Sequence, residues 1–329
     1  MITTEFKKAI DQAENIVIFT HVGPDGDALG SMTAMGQLLT ARGKQITMVV
    51  DSPIPPRFSY LPFIDKVQAK LDAASVFDLI ITLDCGDEER PGKPLKQLKQ
   101  KPTLINIDHH VTNTYFGDIN WVDPKATSTA EMLYQLFVAL DVAFTPDMAT
   151  SLLTGLVTDT LGFRTPNVSA NTLKIGGALM DTGADLTIIT AQTLNLQPMS
   201  TLRLWQTGLN HMKLEDGLMW TTISREERAR AGHRGDSSSG LVNFLADVDR
   251  AAIGVVLMEM DDGEIRVGFR CQPPYDVSGL ATELGGGGHP QAAGCTLEGP
   301  LAKAEVMLVD KCKELISQQT PACDNGRFE

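Results

Sequence analysis

Short apolar runs rich in β-branched residues alternate with longer amphipathic stretches through the first half of the chain. Asn15–Thr20 (NIVIFT), Gln45–Val50 (QITMVV), Phe77–Leu83 (FDLIITL) and Thr103–Ile107 (TLINI) predict buried strands. Ala28–Arg42, with Gly43 placed to stop it, predicts a helix, and helical spacing returns at Thr127–Leu140, Asp147–Asp159 and Ser169–Thr182. Strands separated by helices imply an α/β fold with a parallel sheet covered on both faces. From Leu186 to about Lys213 the pattern is polar and mostly helical, a connector. The second half opens on a strand near Gly217–Ser224. A charged loop, Arg225–Ser239, follows, then a hairpin of Ala251–Glu259 and Glu264–Arg270 turning at Asp261-Asp262-Gly263. A glycine run, Gly285–Gly288, precedes a closing strand and the helix Leu301–Gln318, leaving Thr320–Glu329 as a loose tail. The expected organisation is a Rossmann-like domain over 1–185, a helical linker over 186–214, a smaller α/β domain over 215–319 and the tail over 320–329.

Composition narrows the function classes. The chain has 329 residues, 43% hydrophobic and 21% charged, ordinary globular usage that excludes a disordered, collagenous or coiled-coil protein. No apolar run approaches the roughly 18 residues of a membrane span. Residues 1–19 do not follow the layout of a secretory signal, so a cytoplasmic location is expected. Five cysteines without a CxxC pair read as reduced thiols. The net charge of −13 repels polyanions at long range, and the 6% aromatic content offers no extended base-stacking platform. A nucleic-acid substrate is therefore expected to be short, with no long duplex bound.

Four segments carry the candidate chemistry. His21, Asp25 and Asp27 follow the first strand (HVGPDGD). Asp84 and Asp87 follow the third (LDCGD). Asp108, His109 and His110 follow the fourth. Asp159 stands in GLVTDTLGF. Taken singly, each has a plainer reading. Asp-Gly-Asp is usually a turn or cap, and Asp27 could cap the helix from Ala28. Asp108-His109-His110 suits a solvated loop, Asp84–Asp87 a turn, and Asp159 a helix surface. An EF-hand is excluded, because Leu29 and Gly36 fall where oxygen ligands are required. The conjunction at strand ends is different, since ligands of open α/β sheets bind there. Converging carboxylates would repel one another unless divalent cations neutralised them. Five of these Asp with two or three of the His suit two ions, of a kind nearer Mn²⁺ or Mg²⁺ than structural Zn²⁺. In the second half, consecutive glycines let a backbone approach a phosphate, with Arg270 and His289 nearby. A flexible hinge is the plainer reading of such a run. His211 and His233 read as surface residues.

The segments HVGPDGDALGS, LDCGDEER, IDHHVTN and TDTLGF resemble the four motifs of the DHH phosphoesterase superfamily. RVGFRC and DVSGLATELGGGGHPQAAG resemble the DHHA1 domain that follows in one branch. Length and domain order are similar to the group of bifunctional oligoribonucleases and pAp phosphatases. The resemblance implies two Mn²⁺, with Mg²⁺ or Co²⁺ as alternatives. His21 and Asp25 would bind one, Asp27, His109 and Asp159 the other, and Asp84 would bridge them. It implies that His110 contacts the scissile phosphate and Asp108 supports the site. Arg270, His289, Gly286, Gly287, Gly288 and Asn113 would hold the substrate. The implied activity is hydrolysis of short RNA oligonucleotides or pAp to nucleoside monophosphates by a soluble protein, with a homodimer admitted. Hydrolysis of linear or cyclic dinucleotides such as pApA, or nucleotide sensing without turnover, stand as alternatives.

Overall fold

The computed structural model describes residues 2–72 and 75–320, so most of the expected tail lies outside the described residues. The chain divides into two units after Leu196. The first contains α1 (Ile2–Gln12), β1 (Asn15–Phe19), α2 (Gly26–Ala41), β2 (Gln45–Val49), β3 (Val67–Gln68), β4 (Leu79–Leu83), α3 (Lys93–Lys96), β5 (Thr103–Asp108), β6 (Ile119–Val122), α4 (Thr129–Ala139), α5 (Pro146–Asp159), α6 (Ala170–Asp181) and α7 (Leu186–Thr190). Its six strands are all parallel, in the order β3-β2-β1-β4-β5-β6. The chain works outward from β1 in one direction and then from β4 in the other. The switch point of this doubly wound sheet therefore lies between β1 and β4.

The central strands are apolar throughout because both faces are covered. Ile16, Ile18, Leu79, Ile81, Ile105 and Ile107 pack under the helices, against Phe6 and Ile10 of α1 and the apolar faces of α2, α4 and α5. Val17, Phe19, Val49 and Ile80 face the other way, under a thinner cover that includes Leu95 and Leu98. Helix α2 is buried along almost its whole length. It meets α5 through glycines: a Cβ on Gly30 would stand 2.3 Å from the Ser151 carbonyl oxygen, and one on Gly155 would stand 2.6 Å from Asp27 Oδ1. Backbone approach this close brings the start of α2 against the end of α5.

The second unit contains α8 (Met199–Asn210), β7 (Lys213–Glu215), β8 (Leu218–Ile223), α9 (Arg225–Ala231), α10 (Leu241–Ala246), β9 (Ile253–Glu259), β10 (Ile265–Cys271), α11 (Ser278–Glu283), β11 (Gly287–His289), β12 (Ala292–Leu297) and α12 (Leu301–Gln319). Its sheet runs β11-β12-β10-β9-β8-β7, antiparallel except for the parallel pair β8–β9. Helix α12 covers one face through Leu308, Cys312 and Ile316. Leu204 of α8 and Leu241, Val242 and Leu245 of α10 cover part of the other, over Met219, Val256 and Met258.

Several expectations change. Helix α2 begins at Gly26, and its cap is Asp25, whose Oδ1 accepts from the amides of Asp27 and Ala28; Asp27 lies inside the first turn. The expected charged loop begins as α9, held by a capping box between Ser224 and Glu227, an S-x-x-E signal present in the sequence. Part of the glycine run is an edge strand paired with β12. The structure also adds α1, β6, α10 and α11; the last three are only four to six residues long, too short to display a period. Cys85, Cys271, Cys295 and Cys312 are buried and unpaired. No described helix is long and apolar enough to cross a membrane.

Candidate metal centre and phosphate cavity

Strands β1, β4 and β5 lie side by side, and each runs out at its carboxyl end into a candidate residue: His21, Asp84, and the series Asp108-His109-His110. Helix α2 brings Asp25 and Asp27 to the same edge by its N-terminus, and α5 brings Asp159 by its last residue. Three groups of ligand-bearing side chains result, each with its atoms within 4.8 Å of one another: His21, Asp25 and Asp84; Asp27, His109 and Asp159; and Asp84, His109 and His110, which shares Asp84 with the first and His109 with the second. In the first, His21 Nε2 is 3.4 Å from Asp84 Oδ2 and 3.9 Å from Asp25 Oδ1. In the second, His109 Nε2 is 3.1 Å from Asp159 Oδ2, 4.0 Å from Asp27 Oδ2 and 3.5 Å from Asp84 Oδ1. Asp84 thus turns one carboxylate oxygen toward each of these two groups. Its backbone is held at φ +59°, a conformation that costs ~1–3 kcal/mol and persists where the surrounding structure imposes it.

Neighbouring groups fix the orientation of these side chains. The Nδ1–H of His21 donates to the Val22 carbonyl (3.0 Å), which turns Nε2 toward the carboxylates. Asp27 is fully buried and accepts from the first amides of α4, Thr129 N (2.6 Å) and Ala130 N (2.9 Å), where the helix dipole favours a negative charge. The Thr129 hydroxyl donates to Asp84 Oδ1 (3.2 Å). Neither Thr129 nor Asn106 was among the candidates. A cap ahead of α4 is readable from Thr127-Ser128-Thr129, but its reach to an aspartate 102 positions away is not.

His110 differs from the other two imidazoles. Its Nδ1 is 2.7 Å from Asp108 Oδ1, and its side chain is 41% exposed, so Nε2 is left to solvent or substrate. Asp108 is buried, with Oδ2 accepting from Asn113 Nδ2 (2.6 Å). Asn113 was expected beside substrate. Its amide nitrogen also faces the Cys85 carbonyl and Asn106 Oδ1, and its own oxygen accepts from Tyr115 N. With both ends of the amide engaged inside the protein, Asn113 positions Asp108.

The titration of these groups follows from their crowding. Burial, reinforced by Asp84 and Asp159, pushes Asp27 well above the carboxylate range. Burial likewise carries Asp159 up to about 6, against the hydrogen bond from His109. Burial disfavours charge on His21 and His109, yet the surrounding carboxylates outweigh it and raise each to about 10. Protons held this tightly do the neutralising that a divalent cation would do in their place. The donor set fits such a cation: carboxylate oxygens and imidazole nitrogens, with no thiolate. Cys85, next in sequence to Asp84, is buried and pushed far up by that burial, and it donates to the Leu83 carbonyl.

In the second unit, Arg266, Gly268 and Arg270 alternate along β10 and so share one face. Gly268 is opposite Gly294 on β12, and Gly294 is opposite Gly287 on β11, a row of three glycines across the sheet. In the next row, Arg270, Ala292 and His289 are in register. Nothing lies within 4 Å of where a Cβ of Gly287 would be, and Gly268 and Gly294 of the same row line a cavity. A cavity of about 430 Å³ opens on this face, lined by both arginines, Gly285, Gly286 and Gly294, and by Asp236–Ser238. The Arg270 guanidinium is half-buried, held by the Phe269 carbonyl, and burial lowers its pKa. Gly286 serves packing: a Cβ there would stand 2.1 Å from the Gly294 carbonyl oxygen. His289 is exposed. His233, expected at the surface, is buried, and its Nε2 meets the Ser237 carbonyl (3.0 Å).

A doubly wound domain with an oxygen-and-nitrogen ligand cluster at its switch point, joined to a mixed-sheet domain with a cationic cavity, defines a class of two-domain α/β proteins built for anionic ligands and divalent cations. Residues 15–156 match the DHH family, N-terminal domain, and residues 224–318 match the DHHA1 domain. The "Bifunctional oligoribonuclease and PAP phosphatase NrnA" of Thermus thermophilus is 34% identical over 91% of this chain and 88% of its own length. The protein of the same name from Bacillus subtilis is 28% identical over 89% and 93%. A crystal structure of an exopolyphosphatase-related protein from Bacteroides fragilis superimposes with a TM-score of 0.87 at 25% identity, covering 96% of each chain. The chain belongs to the DHH family of phosphoesterases, in the branch that carries a DHHA1 domain.

Proposed function

We propose that this chain is a metal-dependent phosphoesterase that hydrolyses short oligoribonucleotides and pAp, releasing nucleoside monophosphates. The observation that carries the reading is Asp84, buried at the switch point with one oxygen in each of two ligand groups. The names of the relatives supply the substrate class. Two Mn²⁺ are the proposed ions, one held by His21, Asp25 and Asp84, the other by Asp27, His109, Asp159 and Asp84. When bound, such ions supply Lewis acidity and ionise water near neutral pH. Asp108, fixed by Asn113, holds His110 by Nδ1, and the protonated imidazole donates from Nε2 to a non-bridging phosphate oxygen. Arg270 offers its guanidinium fork to a second phosphate, and the glycine row lets that phosphate reach the sheet backbone. The buried, unpaired cysteines suit a reducing compartment, and we place the enzyme in the cytoplasm.

The test is a substrate panel with the Mn²⁺-loaded chain: di- to pentaribonucleotides, pAp and the linear dinucleotide pApA. Monophosphate release from the oligoribonucleotides, with phosphate release from pAp, is the expected outcome, abolished by chelator and restored by Mn²⁺. Turnover confined to pApA would replace the substrate reading, and inactivity on every member would end it.

A further inference from the structure

The glycine-floored cavity has a second wall. Loop residues Asp236, Ser237 and Ser238 face the strand that bears Arg266 and Arg270, and all five line the same 430 Å³. Among the described residues, Asp236 pairs with no cation, and neither arginine pairs with a carboxylate. Opposite charges that share a cavity without closing on one another both remain available to what enters. A phosphate satisfies the arginines, but Asp236 repels it and accepts only from a donor such as a hydroxyl or amine. One ligand carrying an anion at one end and hydroxyl donors at the other meets both demands.

The loop is also held in place by unusual means. Arg228 and His233 are both buried, although such residues are seldom buried without a purpose. Arg228 ion-pairs with Asp261 and reaches toward the Gly235 carbonyl, and His233 binds the Ser237 carbonyl. Gly232 closes α9 and Gly240 opens α10, both in left-handed backbone. An exposed connector between two short helices needs none of this. A loop that must present one carboxylate at a fixed place needs all of it. On the opposite wall, Arg266 and Arg270 are four residues apart on one strand face, about 13 Å along β10, with only Gly268 between them.

We propose that Asp236 is a specificity residue that accepts hydrogen bonds from the ribose hydroxyls of a bound nucleotide, while Arg266 joins Arg270 in holding its phosphates. The assignment rests on the phosphoesterase reading above and refines it to ribose over deoxyribose. The volume lies within the ~300–1,000 Å³ of small-molecule pockets, room for a single nucleotide unit.

The full chain is titrated with AMP and with 2′-deoxyAMP, and kcat/KM is measured on matched ribo- and deoxyribo-trinucleotides with Mn²⁺. The wild-type chain favours the ribose form, and Asp236→Ala lowers that preference about tenfold, the scale of a lost hydrogen bond to a charged group. Arg266→Ala weakens both sugars by the same factor and leaves the preference intact. No preference in the wild-type chain, no measurable binding of either monophosphate, or a preference that survives Asp236→Ala overturns the proposal. A chain that hydrolyses no oligonucleotide yet binds AMP through Asp236 would sink the substrate reading and leave this assignment standing. A chain that hydrolyses RNA with a preference indifferent to Asp236 would do the reverse.

Discussion

Single side chains in the first unit are set by what they must share. Asp84 has two oxygens and two neighbours to serve, His21 and His109. Asp84→Asn keeps the shape and removes the charge common to both groups, so Mn²⁺ uptake falls at both and turnover is abolished; calorimetric titration and a phosphate-release assay check this, and retained turnover would refute the shared role. Without a cation, His21 and His109 are protonated up to about pH 10, and Asp159 gains its proton near pH 6. A ligand nitrogen must give its proton up, so Mn²⁺ binding near neutral pH releases protons. Apparent affinity rises as pH is raised toward 10 and drops further below 6 as Asp159 is neutralised. Titration in buffers of different ionisation enthalpy measures the release, and an affinity flat across that range would contradict it.

Elements matter here through their ends and their contact faces. Three strand ends and two helix ends build the metal cluster, and the seam between α2 and α5 sets the spacing of Asp27 and Asp159. Gly30 lies in that seam with the Ser151 backbone against it, and backbone yields less readily than a side chain. Gly30→Ala is expected to destabilise the fold by ~1–3 kcal/mol, as overpacking does, and to weaken Mn²⁺ binding with it. Chemical denaturation and metal titration read the two effects. Strands and long helices were legible because apolar periodicity names them; the boundaries moved where capping decided, as at Asp25 and Ser224. The charged stretch after Ser224 shows the limit of periodicity, since α9 is too short to display it and its start signal is a pair of side chains.

For the whole molecule, charge argues against a long polyanionic partner. With a net charge of −13, the chain repels phosphates at long range, and among the described residues the face of β10 gathers Arg266 and Arg270 in one cavity. A single-strand binder loses affinity with salt by a logarithmic slope of about −0.7 per phosphate neutralised. One or two phosphates in contact predict a slope of kcat/KM between about −0.7 and −1.4 on that scale. A steep slope, or kcat/KM that keeps rising with oligonucleotide length, would contradict this and point to a longer run of phosphate contacts.

The order of apolar runs, and of aspartates and histidines directly after them, was enough to state the parallel α/β fold and to pick out the aspartates and histidines that converge. Strand ends are fixed by local chemistry, and a parallel sheet necessarily gathers its carboxyl ends along one edge. The partners of those residues were a different matter. That Asn113 grips Asp108, that the amides of α4 hold Asp27, and that Asp236 confronts two arginines depend on segments distant in the chain meeting through packing. A sequence names the groups that need hydrogen bonds or counter-charges, but only the close-packed structure decides which group, among all those able to answer, stands within reach.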